Sequence, residues 1–332
     1  MSSLDVLLAP LRCALGPGLF ALALAVGAQP GPGASDPIVA VVPFSAGGSV
    51  DVAARLLMPR LSERLKQPVV VENTVGASGT IATQRVIRAR PDGHTLLFAV
   101  ASPINVAPLV SPNTYRYDAL KELVPVVPVA ASAFVLVGRP TLAVGTTSEL
   151  LRLVRSQPGK LNFGTDGVGT GLHVTAEMIK QEAGLDMVHV PYKSGPQVLT
   201  ELAGGQIDLA VLPVSLVQGF VRDGKVKAFG VTSRTRWPGL PDVPSLSETP
   251  ELKRLDVEAW HGLLVPAKTD PAIVERLARE MTAVLAEPET VRKLADAGFK
   301  PMQMTPAQFA AHLASERSDM ARTIAAAAIK VD

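Results

Sequence analysis

Val42-Pro-Phe-Ser-Ala-Gly-Gly-Ser-Val-Asp51 joins an apolar strand to the start of a helix. The strand is indicated by residues 38–42, a compact run of mainly β-branched side chains of the buried type. The loop consists almost entirely of small residues, and Gly47 and Gly48 permit a tight turn and a close approach of a ligand to the backbone. Ser49 is placed to cap the helix, whose first-turn N–H groups and dipole favour a carboxylate or phosphate. The stretch therefore predicts either an anion-binding loop or a plain strand-to-helix turn.

Bulk composition narrows the class of protein. The chain has 332 residues, of which 47% are hydrophobic, so it can bury an ample core and is long enough for two domains. Its net charge of +2 comes from interspersed acidic and basic residues without a basic cluster. Because nucleic-acid binding needs such a cluster, no nucleic-acid partner is expected.

The amino terminus has the pattern of a secretory signal peptide. Arg12 precedes the apolar residues 19–26, which are too few to span a membrane, and Val26-Gly27-Ala28 offers a small-residue cleavage site. We therefore predict a signal peptide over residues 1–28, with cleavage as late as residue 34, and a periplasmic mature protein. The only cysteine, Cys13, lies in the removed segment, so the mature chain would hold no disulfide and no thiolate metal site.

Strand and helix patterns alternate at short spacing, which predicts an α/β fold with a parallel sheet covered on both faces. Two long apolar stretches, residues 123–137 and 258–266, have the character of strands that cross between domains. We predict two α/β lobes with a cleft between them, lobe 1 comprising residues 36–128 and 260–332 and lobe 2 residues 129–259.

A second glycine-rich loop, Gly164-Thr-Asp-Gly-Val-Gly-Thr-Gly-Leu-His173, also follows a strand and opens a helix. Ligands of open α/β sheets bind at such loops, so two helix N-termini are expected to face one ligand across the cleft. The roles of three side chains in or near these loops remain open between two alternatives each. His173 is either a ligand donor or a surface or helix-packing residue. Asp51 is either a ligand contact or a structural carboxylate, and Tyr192 either a cleft wall or a core residue.

Catalytic and metal-binding spacings are absent from the sequence. The glycines at 167, 169 and 171 do not match the dinucleotide pattern, and no P-loop or nucleophile elbow is present. The five histidines are scattered without a zinc-type pair. We therefore expect no enzyme activity, no cofactor and no metal.

An ordered series of motifs runs through the chain. It comprises residues 42–51, Val71-Glu-Asn73, Gly76-Ala-Ser-Gly79, Pro91-Asp-Gly-His-Thr-Leu96, residues 164–173, His189-Val-Pro-Tyr-Lys193, Gly204-Gly-Gln-Ile-Asp208, Val231-Thr-Ser233, Leu240-Pro-Asp-Val-Pro244 and Gly262-Leu-Leu-Val-Pro-Ala267. Together these motifs resemble the Bug receptors, the extracytoplasmic solute-binding proteins of tripartite tricarboxylate transporters. The resemblance implies the type II periplasmic binding fold, with a two-strand hinge that closes the lobes on a small carboxylated solute.

The resemblance also implies that backbone amides of both loops hold the ligand carboxylate, with the loop after the third strand nearby. The candidate ligand-binding residues are Phe44, Ser45, Ala46, Gly47, Gly48, Ser49, Asp51, Ser102, Asn105, Thr165, Asp166, Gly167, Gly169, Thr170, His173, Tyr192 and Leu212. Leu212 departs from a polar pair common in the family. An apolar wall there would suit a ligand with an aliphatic or aromatic body beyond its carboxylate.

The expected function is capture of a mono- or dicarboxylate and its delivery to the large and small permease subunits of a tripartite transporter. Two alternatives remain, a ligand sensor acting through a sensor kinase of a two-component system and a secreted enzyme on the same scaffold. A monomer is expected.

Overall fold

The computed structural model describes residues 36–326. The predicted signal peptide and Cys13 lie outside the described residues. The strands are β1 (Ile38–Val42), β2 (Val69–Asn73), β3 (Thr95–Ala99), β4 (Leu123–Gly138), β5 (Asn162–Thr165), β6 (Val188–Pro191), β7 (Leu209–Pro213), β8 (Lys227–Val231), β9 (Glu258–Pro266) and β10 (Lys300–Pro301). The helices are α1 (Ser49–Leu65), α2 (Thr80–Ile87), α3 (Ala107–Val110), α4 (Ala119–Glu122), α5 (Thr147–Ser156), α6 (Gly171–Ala183), α7 (Gly195–Ala203), α8 (Val214–Arg222), α9 (Pro271–Leu285), α10 (Pro288–Asp296) and α11 (Pro306–Ala326).

The strands form one mixed sheet in the order β2-β1-β3-β9-β4-β7-β5-β6, and β8 and β10 also pair with β4. Pairing is parallel within β2-β1-β3 and within β6-β5-β7, as the alternation of strands and helices predicts. The two crossing strands, β4 and β9, are antiparallel to each other and to their neighbours. The sheet is therefore mixed rather than wholly parallel, because the two crossing strands run against the strands on both sides of them.

Strand β4 divides the sheet into two parts. Its first portion, up to Ala133, pairs with β9, and its second portion, from Phe134, pairs with β7. Pro125 and Pro128 do not interrupt the strand, because the pairing register shifts next to each of them and so accommodates the missing N–H groups. We call β1, β2, β3 and β9 the β1 half of the sheet, and β5, β6, β7 and β8 the β5 half.

Each half has its own apolar core. In the β1 half, α1 presents Leu57 and Leu61 to the sheet, spaced four residues apart as an amphipathic helix requires, and both are fully buried. In the β5 half, Phe163 of β5 and Leu172 of α6 are buried in a separate cluster. Two helix-covered sheet halves joined by two crossing strands confirm the predicted α/β fold with two lobes.

The topology gathers strand ends at one place. The carboxyl ends of β1, β3, β5, β6 and β7 each run into the turn that begins a helical segment. The segment after β3 is a π-helical turn, Ser102–Val106, a geometry that is frequent at functional sites. In open α/β sheets, ligands bind at the carboxyl ends of the strands. Within residues 36–326, none of the helices has the length and apolarity that a membrane crossing requires.

Candidate functional site

A cavity of about 90 Å³ lies where the strand ends of the two halves meet. This volume is several times the roughly 10–15 Å³ that one water molecule needs on the same measure, so the cavity can admit a small organic molecule. Of the candidate ligand-binding residues, six line it: Phe44, Ser45, Gly48, Ser49, Ser102 and Asp166. The structure thus brings together residues from both glycine-rich loops and from the turn after β3.

Four helices begin at the cavity wall. Its lining includes Gly48 and Ser49 at the start of α1, Gly171 at the start of α6, Gly195 at the start of α7, and Pro213 immediately before α8. The first N–H groups of a helix have no partner within the helix, and the helix dipole places partial positive charge there. Converging helix N-termini therefore favour a negatively charged ligand group.

Ser49 does not cap α1, contrary to the expectation from the sequence. Gly48 occupies the cap position without a side-chain hydrogen bond, and Ser49 is the first helical residue. The Oγ of Ser49 lies 3.2 Å from Nε2 of His261 and accepts a hydrogen bond from Oγ of Ser215 at 2.8 Å. The hydroxyl thus connects the first loop to a crossing strand and to α8, which belongs to the other half.

Asp51 stabilises the first glycine-rich loop through hydrogen bonds to its carboxylate. Its buried carboxylate accepts hydrogen bonds from the N–H of Gly47 at 2.9 Å, from Nδ2 of Asn73 at 2.9 Å and from Nε of Arg55 at 2.9 Å. Burial acts to raise the pKa of Asp51, but the hydrogen bonds from Arg55, Gly47 and Asn73 outweigh it and lower the pKa. Asp51 does not line the cavity, so the structure favours the structural role among the two that the sequence left open.

His173 supports the second loop. Its Nδ1 accepts a hydrogen bond from the N–H of Gly169 at 3.2 Å, and its ring stacks on His189 at a centroid distance of 4.1 Å. Nε2 of His189 in turn lies 2.7 Å from Oγ1 of Thr165, at the start of the same loop. His173 is buried and does not line the cavity, so the contacts favour a packing and positioning role for it.

Thr170 caps α6 and folds the loop onto itself. Its Oγ1 accepts from the N–H of His173 at 3.3 Å and donates to the carbonyl of Gly167 at 3.1 Å. The same carbonyl accepts from Oγ1 of Thr165 at 3.1 Å. These bonds hold the loop backbone in one conformation and leave Asp166 to line the cavity.

Hydrogen bonds link the two halves around the cavity. The N–H of Gly171 donates to Oγ of Ser102 at 2.9 Å, and Oγ of Ser78 donates to the carbonyl of Val168 at 2.9 Å. Together with the Ser49–Ser215 bond they join the turns of the β1 half to those of the β5 half. The cleft is therefore narrowed to a cavity by direct contacts between its two walls.

Asn105 does not line the cavity but contacts a residue that does. Its Nδ2 donates to the carbonyl of Leu313 at 3.0 Å and to Oε2 of Glu316 at 2.7 Å. Glu316 does line the cavity, and both of its oxygens also accept from Nε1 of Trp260, at 2.9 and 2.8 Å. Burial raises the pKa of Glu316, partly offset by these donors.

The remaining candidates lie outside the cavity lining. Leu212 is completely buried in the core, whereas its neighbour Pro213, with Leu216 of α8, supplies part of the apolar wall. Tyr192 packs against the core of the β5 half, and its N–H donates to the carbonyl of Thr165 at 2.9 Å. The others that do not line the cavity are Ala46, Gly47, Thr165, Gly167, Gly169 and Thr170.

Several lining residues were not anticipated from the sequence. They are Val50, Val100, Ala101, Val106, Phe134, Gly171, Leu172, Thr175, Ser194, Gly195, Pro213, Leu216, Val257, Glu258, Ala259, His261, Glu316 and Met320. One signal was available, since Ser194 caps α7 by accepting from the N–H of Gln197 at 3.3 Å and so marks a further strand-to-helix turn. No local pattern indicates that Glu316 and Met320 of the last helix reach the cavity.

Two buried histidines, His173 and His261, and the half-buried His189 make the fold sensitive to acid. Burial lowers the pKa of His173, and lowers those of His189 and His261 to about 4, with the charge of neighbouring groups adding to the effect at His189. Because an unfolded histidine titrates near pH 6.5, their stabilisation is fully present above pH 6.5 and is lost as the pH falls toward 4. At neutral pH His173 is unprotonated and can accept from Gly169.

We expect His189→Gln to flatten this acid response. Glutamine retains a polar group for Thr165 but does not titrate, so the free-energy difference between wild type and variant should shrink by up to about 1 kcal/mol per pH unit below pH 6.5. Urea unfolding at pH 7, 6, 5 and 4.5 measures it. A constant difference across this range would contradict the assignment of the acid response to His189.

The fold and the cavity define a two-lobed α/β protein with a solute-sized site at the strand ends between its lobes. The family model "Tripartite tricarboxylate transporter family receptor" matches residues 53–328. This chain therefore belongs to the family of tripartite tricarboxylate transporter receptors.

Curated relatives support this assignment. The chain is 35% identical over 270 residues to the UPF0065 protein in the tcbD-tcbE intergenic region of Pseudomonas sp. (strain P51), covering 80% of this chain and 79% of that protein. It is 32% identical over 283 residues to the protein BugT of Bordetella pertussis, covering 84% of this chain and 86% of that protein.

Solved structures share the fold over most of the chain. The periplasmic binding protein BugD is 30% identical with a TM-score of 0.83, covering 89% of this chain and 98% of BugD. An R. palustris protein with adipate is 28% identical with a TM-score of 0.85, covering 89% and 98%. MatC from Rhodopseudomonas palustris with bound malate is 30% identical with a TM-score of 0.81, covering 87% and 99%. The chain is thus a solute-binding protein of the Bug type.

Proposed function

We propose that this protein captures a small carboxylate in the cavity between its lobes and delivers it to a tripartite tricarboxylate-type membrane transporter. The convergence of four helix N-termini on one cavity carries the proposal. Backbone N–H groups at such ends bind carboxylates without an arginine or lysine side chain. The adipate and malate bound by two structural neighbours support the same ligand class.

Capture is proposed to couple to closure of the lobes. A ligand that contacts both walls favours the arrangement in which those walls meet, by as much as its affinity differs between open and closed forms. The Ser102–Gly171 and Ser49–Ser215 hydrogen bonds exist only when the walls are in contact. We place the lobes at residues 36–128 with 260–332 and at 129–259. A division within β4 is supported by its change of partner from β9 to β7 between Ala133 and Phe134.

From family membership we propose that the protein delivers its ligand to the large and small permease subunits. We also propose that the protein is periplasmic and monomeric. Loss of ligand uptake in cells that lack this protein, with uptake restored by its return, tests the transport role. Retained uptake with loss of a ligand-dependent transcriptional response would instead identify a receptor for a sensor kinase.

The enzyme alternative has one geometric feature in its favour. Ser49 and His261 form a hydroxyl–imidazole contact of 3.2 Å inside the cavity. However, among residues 36–326 no carboxylate accepts from Nδ1 of His261, so the ring lacks the orienting acid of a catalytic triad. We therefore propose binding without chemical conversion, which recovery of the unchanged ligand after prolonged incubation tests.

A thermal-shift screen of small carboxylates tests the proposed ligand class. On protein refolded to remove bound ligand, an acid present at one hundred times its Kd should stabilise the fold by about 2.7 kcal/mol and raise Tm by several degrees. Neutral sugars of similar size serve as the control. A rise in Tm with sugars but with no carboxylate would refute the proposal.

A further inference from the structure

The cavity combines helix N-termini with acidic side chains. Asp166, Glu258 and Glu316 line it, and none of the described lining residues is lysine or arginine. His261, the one imidazole among them, is neutral at pH 7, because burial lowers its pKa to about 4. A ligand that carried only carboxylates would therefore meet like charge on these walls, which is unfavourable at low dielectric.

All three acids have partners within the protein. Glu316 accepts from Trp260 and Asn105, and Glu258 lies 3.9 Å from Nζ of Lys300. Asp166 differs in that Thr170 and a backbone N–H serve its carboxyl group, but its Oδ1 is shut off from solvent and has no hydrogen-bond partner among residues 36–326. A buried acceptor without a donor costs free energy, and such atoms are rare in folded proteins. Asp166 is therefore the acid whose donor is expected from the ligand.

We propose that Asp166 binds a positively charged nitrogen of the ligand, so that the solute is an amino-substituted carboxylate. This inference rests on the proposed function, because the carboxylate of the same ligand would occupy the helix N-termini. Opposite charges on one small molecule satisfy both features of the cavity, the positive helix ends and the unpartnered oxygen Oδ1 of Asp166. Asp166 thereby selects amino acids over the corresponding unsubstituted acids.

The ionisation of Asp166 agrees with this role. Burial raises its pKa to about 6, so the side chain is mainly ionised at neutral pH, and an adjacent ammonium group stabilises that form further. Within residues 36–326 no three His, Cys, Asp or Glu side chains are grouped closely enough to hold a metal ion. An organic cation is thus the partner that we propose, and metal binding becomes an outcome of the test.

Matched acids of one carbon skeleton provide the test on the wild-type protein. Butyrate, its 2-, 3- and 4-amino derivatives and its 2-, 3- and 4-hydroxy derivatives are titrated calorimetrically into refolded protein at pH 7.5. We expect one amino derivative to bind at least tenfold more tightly than butyrate and than every hydroxy derivative. Binding of Ca²⁺ or Mg²⁺ alone, or an equal gain from a hydroxyl group, would overturn the assignment of a cationic nitrogen.

The variant Asp166→Asn keeps the shape of the side chain and removes its charge. We expect the amino derivative to lose at least tenfold in affinity, whereas butyrate binds as before or more tightly. Asp223→Asn, an exposed acid beyond α8, is the matched control and should leave every affinity unchanged. Persistence of the amino preference in Asp166→Asn would overturn the role of Asp166, and the wild-type series decides the ligand class even if this variant does not fold.

The outcomes separate this inference from the proposed function. Equal affinities of butyrate and all three amino derivatives would overturn the inference alone, because carboxylate binding would stand. Failure of all seven acids and of the wider carboxylate panel to bind would overturn both.

Discussion

Gly48→Asp is expected to weaken binding of any carboxylate at least 100-fold while leaving the protein folded. Gly48 has φ −74° and ψ 166°, which any residue adopts without strain, and it occupies the cap position of α1. A Cβ there would lie 3.2 Å from the carbonyl oxygen of Ser45, which requires only a small shift. Aspartate is a favoured cap residue, so its carboxylate would accept from the N–H groups of α1 and repel a ligand carboxylate.

Gly48→Asn is the matched control for this experiment. Asparagine has the same shape and also caps helices, but it is uncharged, so the comparison isolates the effect of charge. We expect the affinity of the asparagine variant for a carboxylate to fall tenfold or less. Both variants should keep a Tm within a few degrees of wild type. Calorimetric titration with the best carboxylate measures the effect. Equal affinities of the two variants would show that no anion binds at this helix end.

Asp51→Ala is expected to destabilise the fold by about 2–4 kcal/mol. The substitution removes the acceptor of the Gly47 N–H and one of the two acceptors of Asn73 Nδ2, which also donates to the carbonyl of Phe44. A hydrogen bond to a charged group contributes about 1.5–3 kcal/mol, and the contribution is smaller at the exposed Gly47, where water can replace the lost acceptor. Arg55 contributes less, because its side chain is 53% exposed and can be solvated instead. Loss of these bonds also releases the loop at Gly47, so we expect weaker ligand binding.

Urea unfolding at pH 7 and pH 3 measures the effect of Asp51→Ala. Because hydrogen bonds lower the pKa of Asp51, its stabilisation is present above the unfolded value near 3.8 and is lost as the pH falls through the folded value. The difference in free energy of unfolding between wild type and Asp51→Ala should therefore be smaller at pH 3 than at pH 7. Asp51→Asn keeps the shape of the side chain but not its charge, so its free energy of unfolding should lie between those of wild type and Asp51→Ala. An unchanged urea midpoint in Asp51→Ala would contradict the structural role of this carboxylate.

Much of the fold follows from local patterns in the chain. A capping box at residues 146–149, Thr-Thr-Ser-Glu in the sequence, opens α5, where Thr146 and Glu149 satisfy each other's backbone N–H groups. The two crossing strands lie where their length and apolarity predict them, at β4 and β9. Both glycine-rich loops run from a strand into a helix as expected. These features depend on residues within a few positions of one another, which a sequence displays directly.

The candidate site was predictable only in outline. Six of the candidate residues line the cavity, all of them in the turns or first helical residues that follow strands. Glu316 and His261 reach the same cavity from α11 and β9, and His261 contacts Ser49 across 212 positions of sequence. Such partners depend on how helices pack and which strands pair, and no local periodicity encodes them. The sequence also could not show that Asp51 and His173 hydrogen-bond to the loop backbones without lining the cavity.

The sequence by itself determined the strand-to-helix turns, the crossing strands and the family resemblance, because periodicity, small residues and capping signals act over a few residues. The tertiary structure alone decided which turns meet, which carboxylates acquire partners and which buried carboxylate oxygen, Oδ1 of Asp166, has none within residues 36–326. The physical reason is distance along the chain. Secondary structure arises from nearby backbone groups, whereas the charge balance of a cavity is set by side chains that only folding brings together.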